Sequence, residues 1–128
     1  MRRVLADTNI VIAALVFPHG IAAQAFSRAV DHDNLVLTAY ILDEVRDVVH
    51  RKWPQLLATC DTFLAGLSYE LIPLGTSGVL IRDAKDQPIL DSAISAVVDV
   101  IVTGDKAFHA LNITKPQILT PRQYLDSP

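Results

Sequence analysis

Acidic side chains supply the chemistry that this sequence offers most clearly. Five aspartates stand among apolar residues in the stretch IRDAKDQPILDSAISAVVDVIVTGDKAF, from Ile81 to Phe108. Two more acids have comparable settings, since Asp7 follows the apolar run RVLA and Glu44 lies within ILDEVRDVV. Carboxylates that converge on one crevice repel one another unless a divalent cation neutralises them, and Mg²⁺ suits such oxygen ligands best. Mn²⁺ accepts similar ligands, and either ion can activate water for in-line attack on a phosphodiester.

No other group of residues in the sequence indicates a competing chemistry. There is no Gly-rich phosphate loop, no GxSxG elbow and no CxxC pair. Cys60 is the single cysteine, so an internal disulfide is excluded and a reducing, cytoplasmic compartment is expected. The four histidines lack the spacing of metal ligands, and we interpret them as structural or surface residues: His19, His32, His50 and His109.

Length and composition predict one folded domain over residues 1–128. The chain is 51% hydrophobic and 20% charged, which argues against disorder. No apolar run reaches the roughly 20 residues that span a bilayer, and the N-terminus lacks the apolar region of a signal peptide, so we expect no membrane partner. The net charge of −3 argues mildly against a purely electrostatic nucleic-acid binder, but clustered acids that hold a cation contribute to such a deficit.

Short apolar runs that alternate with helical patterns must position these acids. Strands are predicted at Arg3–Ala6, Asn34–Leu37, Leu71–Leu74 and Val100–Thr103, with a last short strand and helical turn in QILTPRQYL. Helices are predicted within residues 9–17, 21–30, 40–52 (N-capped by Thr38), 55–67 and 88–98. We therefore expect a three-layer α/β/α sandwich with a central, mostly parallel sheet.

The strand ends of such a sheet select among the acids, because sites in open α/β sheets lie beyond the carboxyl ends of the strands. Asp7 and Asp105 each follow a buried strand. On the helix of residues 40–52, spacing places Glu44 at the edge of the apolar stripe, whereas Asp43 and Asp47 point further outward. Two of these acids also have a simpler interpretation: Asp7 as a helix cap only, and Glu44 as a solvated helix flank that pairs with Arg51 or His50.

Taken together, these segments resemble a PIN domain. The resemblance rests on LADTNIVIAAL, ILDEVRDVV and RDAKDQPILDSAISAVVDVIVTGDKAF, and it extends through QILTPRQYL, so it covers nearly the whole chain. It implies an α/β/α sandwich, a Mg²⁺- or Mn²⁺-dependent ribonuclease activity and, as for many stand-alone members, a toxin role in a toxin–antitoxin pair. The four family acids would fall on Asp7, Glu44, Asp86 and Asp105, as metal-binding and catalytic residues.

Three neighbouring aspartates, Asp83, Asp86 and Asp91, compete for the position of the third family acid. Asp86 matches best, with Ala93 seven positions later, although an acid before Gln87-Pro88 can also be a helix cap. Asp91 is a further candidate if the helix begins later than predicted. Asp83 is expected to bond backbone in the loop, and Asp99 to connect a helix to a strand.

Several neighbouring side chains would assist the acids. Thr8, Asn9 and Thr103 are candidates for orienting an acid or a bound water, and Arg82, Lys85 and Lys106 for contacting phosphates, although each cation can equally be an ordinary solvated charge.

Three functional classes fit this pattern. The first is an endoribonuclease that prefers single strands, with RNA as substrate, an antitoxin protein as partner and a homodimer as the assembly. The second is a non-catalytic PIN-like scaffold that binds partners. The third is a phospho-acceptor receiver-like domain, for which Lys106 could serve but LVLTAY supplies no acceptor aspartate.

Overall fold

The computed structural model describes all 128 residues as alternating strands and helices. The strands are β1 Arg3–Ala6, β2 Asn34–Thr38, β3 Glu70–Ile72, β4 Val100–Val102 and β5 Gln117–Leu119. The helices are α1 Thr8–Val16, α2 Ile21–His32, α3 Ala39–Lys52, α4 Leu57–Ala65, α5 Gln87–Ser95, α6 Lys106–His109 and α7 Pro121–Asp126.

All five strands are parallel, in the order β3-β2-β1-β4-β5. The chain adds β2 and then β3 on one side of β1, and the connection from β3 returns past both to add β4 and β5 on the other side. Because crossovers between parallel strands are almost always right-handed, connections that run in opposite directions along a sheet place their helices on opposite faces. The predicted α/β/α sandwich is confirmed, and the sheet is wholly parallel rather than mostly so.

The three central strands provide the middle of the core. β1, β2 and β4 bury nearly every residue, whereas the edge strands β3 and β5 are partly exposed. This burial on both faces explains why RVLA, NLVLT and VIV show no polar alternation. Helix side chains complete a contiguous core of 29 buried residues that holds the strand ends in fixed positions.

Local chemistry sets the element boundaries. Thr38 caps α3 as predicted, because its side-chain oxygen accepts the N–H of Ile41 at 3.0 Å, a contact worth about 1 kcal/mol. β3 ends at Ile72 rather than Leu74, since Pro73 has no N–H to donate. The helix predicted at 55–67 is a 3₁₀ turn at Pro54–Leu56 followed by α4, and the short α6 was not predicted.

None of the helices is by itself both long and apolar enough to cross a membrane; α1 and α2 reach that length and composition only as a pair bent by 106°.

Candidate metal centre

Asp7 and Asp105 follow β1 and β4, the two adjacent strands between which the strand order of the sheet changes direction. From β1 the chain adds β2 and β3 on one side, whereas β4 and β5 stand on the other side. Asp7 directly follows β1, and Asp105 follows β4 after the Thr103-Gly104 turn. Such a switch point opens a crevice beyond the strand ends, which is the usual place for a site in this architecture.

Both carboxylate oxygens of Asp7 are held by hydrogen bonds. Oδ1 accepts the N–H of Thr8 at 2.7 Å, which caps α1, and Oδ2 accepts the hydroxyl of Thr103 at 2.7 Å. The residue is only 4% exposed. Burial raises the pKa of Asp7, and the hydrogen bonds from Thr103 and Thr8 oppose that rise. Asp7 therefore caps α1 and at the same time stands in the crevice beyond the strand ends.

Glu44 reaches the same crevice from α3. The buried face of this helix is formed by Ile41, Val45 and Val49, whereas Asp43 and Asp47 are exposed. Glu44 is half-buried at the edge of the buried face, as helical spacing predicted. The hydroxyl of Thr8 donates a hydrogen bond to Oε1 of Glu44. Glu44 makes no ion pair with His50 or Arg51, because the four salt bridges of the chain lie elsewhere.

Asp86 is a buried acid with an unsatisfied oxygen. It ends a 3₁₀ turn at Ala84–Asp86 and stands at the N-cap position of α5, but its side chain makes no capping hydrogen bond. The residue is 6% exposed, and its Oδ2 has no partner. Burial, followed by the adjacent Asp105, raises the pKa of Asp86 to about 8. An orphaned, buried carboxylate oxygen is costly unless something else occupies the site.

Asp83, Asp86 and Asp105 form a tight carboxylate cluster. One oxygen from each lies within 4.8 Å of the other two. Asp83 accepts the N–H of Lys85 at 3.1 Å, so it organises its loop as expected, yet the sequence did not indicate that it also joins the cluster. Asp105 caps α6 by accepting the N–H of Ala107 at 2.8 Å. We name these three residues the carboxylate cluster.

The cluster lines one side of a cleft of about 260 Å³, which we call the acidic cleft. Most of the residues proposed from the sequence line it: Asp7, Thr8, Asn9, Glu44, Lys85, Asp86 and Asp105. Thr103 lies behind Asp7, whereas Arg82 and Lys106 do not line the cleft. Sequence reasoning missed Asp83, Arg51 and Lys52; Arg51 follows Glu44 by two helical turns, a spacing that could have revealed it.

Four larger concavities, of about 640, 610, 430 and 400 Å³, lie elsewhere. None is lined by more than two carboxylates, and the two that share a concavity, Asp33 and Glu70, pair with Arg2 and Arg3. The acidic cleft is smaller, but it is the concavity in which carboxylates converge.

The other two aspartates of residues 81–108, Asp91 and Asp99, bond to partners outside the acidic cleft. Asp91 accepts hydrogen bonds from Ser77 at 2.7 Å and from Gln87 at 2.8 Å, and it does not line the acidic cleft. Asp99 accepts the backbone N–H of Arg3 at 2.8 Å and pairs with Lys115, which fits the connecting role predicted for it. The bond from Arg3 is the main reason that the pKa of Asp99 is lowered.

A doubly wound parallel sheet with carboxylates at its switch point defines the class of this protein, an α/β domain with an acidic site. The PIN domain family model matches residues 3–107, and the chain belongs to the PIN domain family. This confirms the resemblance noted from the sequence. No curated protein sequence gave a significant match.

Among solved structures, the chain is similar to the crystal structure of VapBC2 from Rickettsia felis bound to a DNA fragment from their promoter. The TM-score is 0.67, and the match covers 91% of this chain and 96% of that chain. Sequence identity over the match is 16%, so this likeness bears on the fold alone.

Proposed function

We propose that this protein is an endoribonuclease that requires Mg²⁺ or Mn²⁺ and cleaves RNA phosphodiesters in the acidic cleft. One observation carries the proposal: Oδ2 of Asp86 is buried, has no hydrogen-bond partner and belongs to the carboxylate cluster. A divalent cation would coordinate this oxygen, and its positive charge would also offset the repulsion among the three acids. Membership of the PIN domain family supports the same activity.

The residues of the cleft fit a hard cation. Its lining supplies carboxylates and a hydroxyl but no histidine and no cysteine, a donor set that suits Mg²⁺ or Mn²⁺ better than zinc. Asp83, Asp86 and Asp105 would hold the ion, with Asp7 and Glu44 beside it as further ligands or as partners of its waters. When bound, such an ion activates water and stabilises negative charge on a phosphodiester.

The protein's own side chains prepare this site in three ways. Thr103 and Thr8 fix the orientation of Asp7 through its two oxygens. Thr8 also positions Glu44, so β1, α1 and α3 are joined at the cleft. Burial and the adjacent Asp105 raise the pKa of Asp86 to about 8, so its carboxyl holds a proton near neutral pH that a bound cation would replace.

Cationic side chains at the cleft support a polyanionic substrate. Arg51, Lys52 and Lys85 are exposed and line the acidic cleft beside the acids. They would attract RNA phosphates towards a site whose own carboxylates repel them. The choice of substrates in the nuclease assay decides whether the RNA is single-stranded or paired.

We further propose that the protein acts as the toxin of a toxin–antitoxin pair, with an antitoxin protein and a second copy of itself as partners. The fold shared with VapBC2, and the toxin role of many stand-alone PIN proteins, support this proposal. Exposed apolar side chains at the β3 edge, Leu71 and Leu74, offer surface for such a partner. For the antitoxin, we expect a neighbouring gene that encodes a small DNA-binding protein. For the second copy, we expect light scattering to give the mass of a dimer.

A nuclease assay tests the proposed activity. A 5′-labelled unstructured RNA, a hairpin of the same composition and the matching DNA are incubated with the protein in Mg²⁺, Mn²⁺ or EDTA. We expect cleavage of the unstructured RNA with either ion and none in EDTA. Asp7→Asn should abolish cleavage while the circular dichroism spectrum is unchanged. Cleavage in EDTA would contradict the proposal, and absence of both cleavage and millimolar Mn²⁺ binding would favour the scaffold.

A further inference from the structure

The segment Gly75–Ile81 leads towards the carboxylate cluster and bends at Gly78, whose φ is +75°. Its residues alternate between covered and exposed, since positions 75, 77, 79 and 81 are at least partly buried while 76, 78 and 80 are exposed. Such alternation indicates that one side of the segment lies against another part of the protein. The segment forms no strand pairing in the sheet, so another element must hold it.

That element is one face of α5. Gln87, Asp91 and Ser95 are spaced by four residues and therefore lie in one row along the helix. The residues of this row contact the segment in reverse order, so the last of them, Ser95, meets its first residue, Gly75. Gly75 passes so close to Ser95 that a side-chain carbon at position 75 would stand 2.3 Å from the Cβ of Ser95.

Polar bonds fasten the rest of the segment. Ser77 donates to Oδ1 of Asp91 at 2.7 Å. The amide of Gln87 donates to the carbonyl of Val79 at 2.7 Å and accepts the N–H of Ile81 at 3.1 Å. Gln87 also donates to the same oxygen of Asp91 at 2.8 Å, so the two helix residues support each other.

Asp83 follows this fastened segment by two residues. Its side chain is exposed and accepts only the short-range N–H of Lys85, while its carbonyl accepts the N–H of Asp86 at 3.0 Å. Both bonds lie within the short turn before α5, so the direction in which the chain enters this turn, and with it the position of the Asp83 carboxylate, also depends on where the preceding segment is held. Without such restraint, a loop end samples many conformations and reaches the cluster only part of the time.

We propose that Gln87 and Asp91 are positioning residues, which fix the Ser77–Ile81 segment on α5 and thereby hold the Asp83 carboxylate where a cation bound by Asp86 and Asp105 needs it. The inference rests on the proposed metal-dependent function. It gives Asp91 a role at a distance from the ion instead of a ligand role. Partners that orient ligands commonly change metal affinity about 10–100-fold.

A double-mutant cycle on Mn²⁺ binding, measured by calorimetry, tests the inference. The variants are Asp91→Ala, Asp83→Asn and their combination, with Asp91→Asn as the matched control because it keeps the Oδ1 acceptor. We expect Asp91→Ala to weaken Mn²⁺ binding about tenfold and Asp91→Asn to stay near wild type. In the Asp83→Asn background, Asp91→Ala should produce no further loss, because its effect acts through Asp83.

Hydrogen exchange supplies a readout that does not depend on the metal. In Gln87→Ala, peptides covering residues 77–81 should exchange faster while peptides from β1 and β4 are unchanged. If Asp91→Ala does not fold, Ser77→Ala removes the same hydrogen bond from the loop side and enters the cycle in its place.

Two results would overturn the inference: unchanged Mn²⁺ affinity in Asp91→Ala, or losses that multiply in the double variant. In either case wild-type Mn²⁺ binding would leave the proposed function standing. A wild-type protein that binds no Mn²⁺ would remove the proposed function and the inference together.

Discussion

Thr103 donates a 2.7 Å hydrogen bond from its hydroxyl to Oδ2 of Asp7 across the switch point of the sheet. The same hydroxyl oxygen accepts the backbone N–H of Asp105 at 3.0 Å. One fully buried side chain thus ties the residue after β1 to the turn after β4. The relative position of two proposed metal-site acids is therefore set by the protein before any ligand arrives.

Thr103→Val should destabilise the protein and lower cleavage together. The change keeps the shape of the side chain but leaves a buried oxygen of Asp7 without its donor, which costs about 1–3 kcal/mol of unfolding free energy. Urea unfolding and the RNA assay measure the two effects. Thr103→Ser keeps the hydroxyl and should have nearly the stability and cleavage rate of wild type. If Thr103→Val also matched wild type in both, the hydrogen bond to Asp7 would contribute to neither.

Glu44→Gln should lower RNA cleavage at least about tenfold with little change in stability. Glutamine keeps the oxygen that accepts from Thr8 but removes the negative charge beside the carboxylate cluster. Asp47→Asn is the matched control, since Asp47 is an exposed acid on the same helix, and it should cleave at the wild-type rate. Equal rates for both variants would exclude Glu44 from the site.

Asp86 should make the metal-free protein less stable as pH rises. Its pKa is raised to about 8 in the folded protein, so the folded state holds this proton more tightly than the unfolded state, where the pKa is about 4. The penalty is absent below pH 4, grows between pH 4 and 8, and is complete above pH 8. In EDTA, the melting temperature of Asp86→Asn minus that of wild type should therefore increase across this window.

Saturating Mn²⁺ should remove most of that difference at pH 8, because the ion stabilises the ionised carboxylate of wild type. A difference that stays constant from pH 5 to 8 in EDTA would mean that Asp86 titrates normally. Asp47→Asn, which replaces an exposed aspartate outside the acidic cleft, serves as the control.

Lys85 should contribute to RNA affinity, whereas Lys106 should not. Lys85 lines the acidic cleft and Lys106 does not, although the sequence suggested both. In an inactive Asp7→Asn background, Lys85→Ala should reduce the slope of log affinity against log salt by about one, and Lys106→Ala should leave it unchanged. Fluorescence anisotropy with labelled RNA measures the slopes, and the opposite ranking would place the substrate elsewhere.

The sequence predicted the location of those acids of the acidic cleft whose placement depends on local pattern. Asp7 and Asp105 are found because each follows a buried parallel strand, and such strand ends meet at one edge. The orientation of Glu44 follows from helical spacing, which also distinguishes it from Asp43 and Asp47. These inferences need only the period of an element and the order of elements along the chain.

Asp83 could not be placed from its own surroundings. Its membership of the carboxylate cluster depends on the path of the Gly75–Ile81 segment, which is set by contacts with Gln87, Asp91 and Ser95 that the local sequence pattern does not reveal. The unsatisfied oxygen of Asp86 is likewise a tertiary property, since the sequence equally allowed a capping side chain. Both depend on how α5 and its preceding loop pack.

The most direct test of the metal site is a crystal structure with Mn²⁺, with the ion located by its anomalous signal. We predict a peak at the carboxylate cluster, roughly 2.1 Å from Oδ2 of Asp86 and near oxygens of Asp83 and Asp105. Asp86→Asn crystals under the same conditions should lack the peak. A wild-type map with saturating Mn²⁺ and an empty acidic cleft would contradict the proposed metal centre.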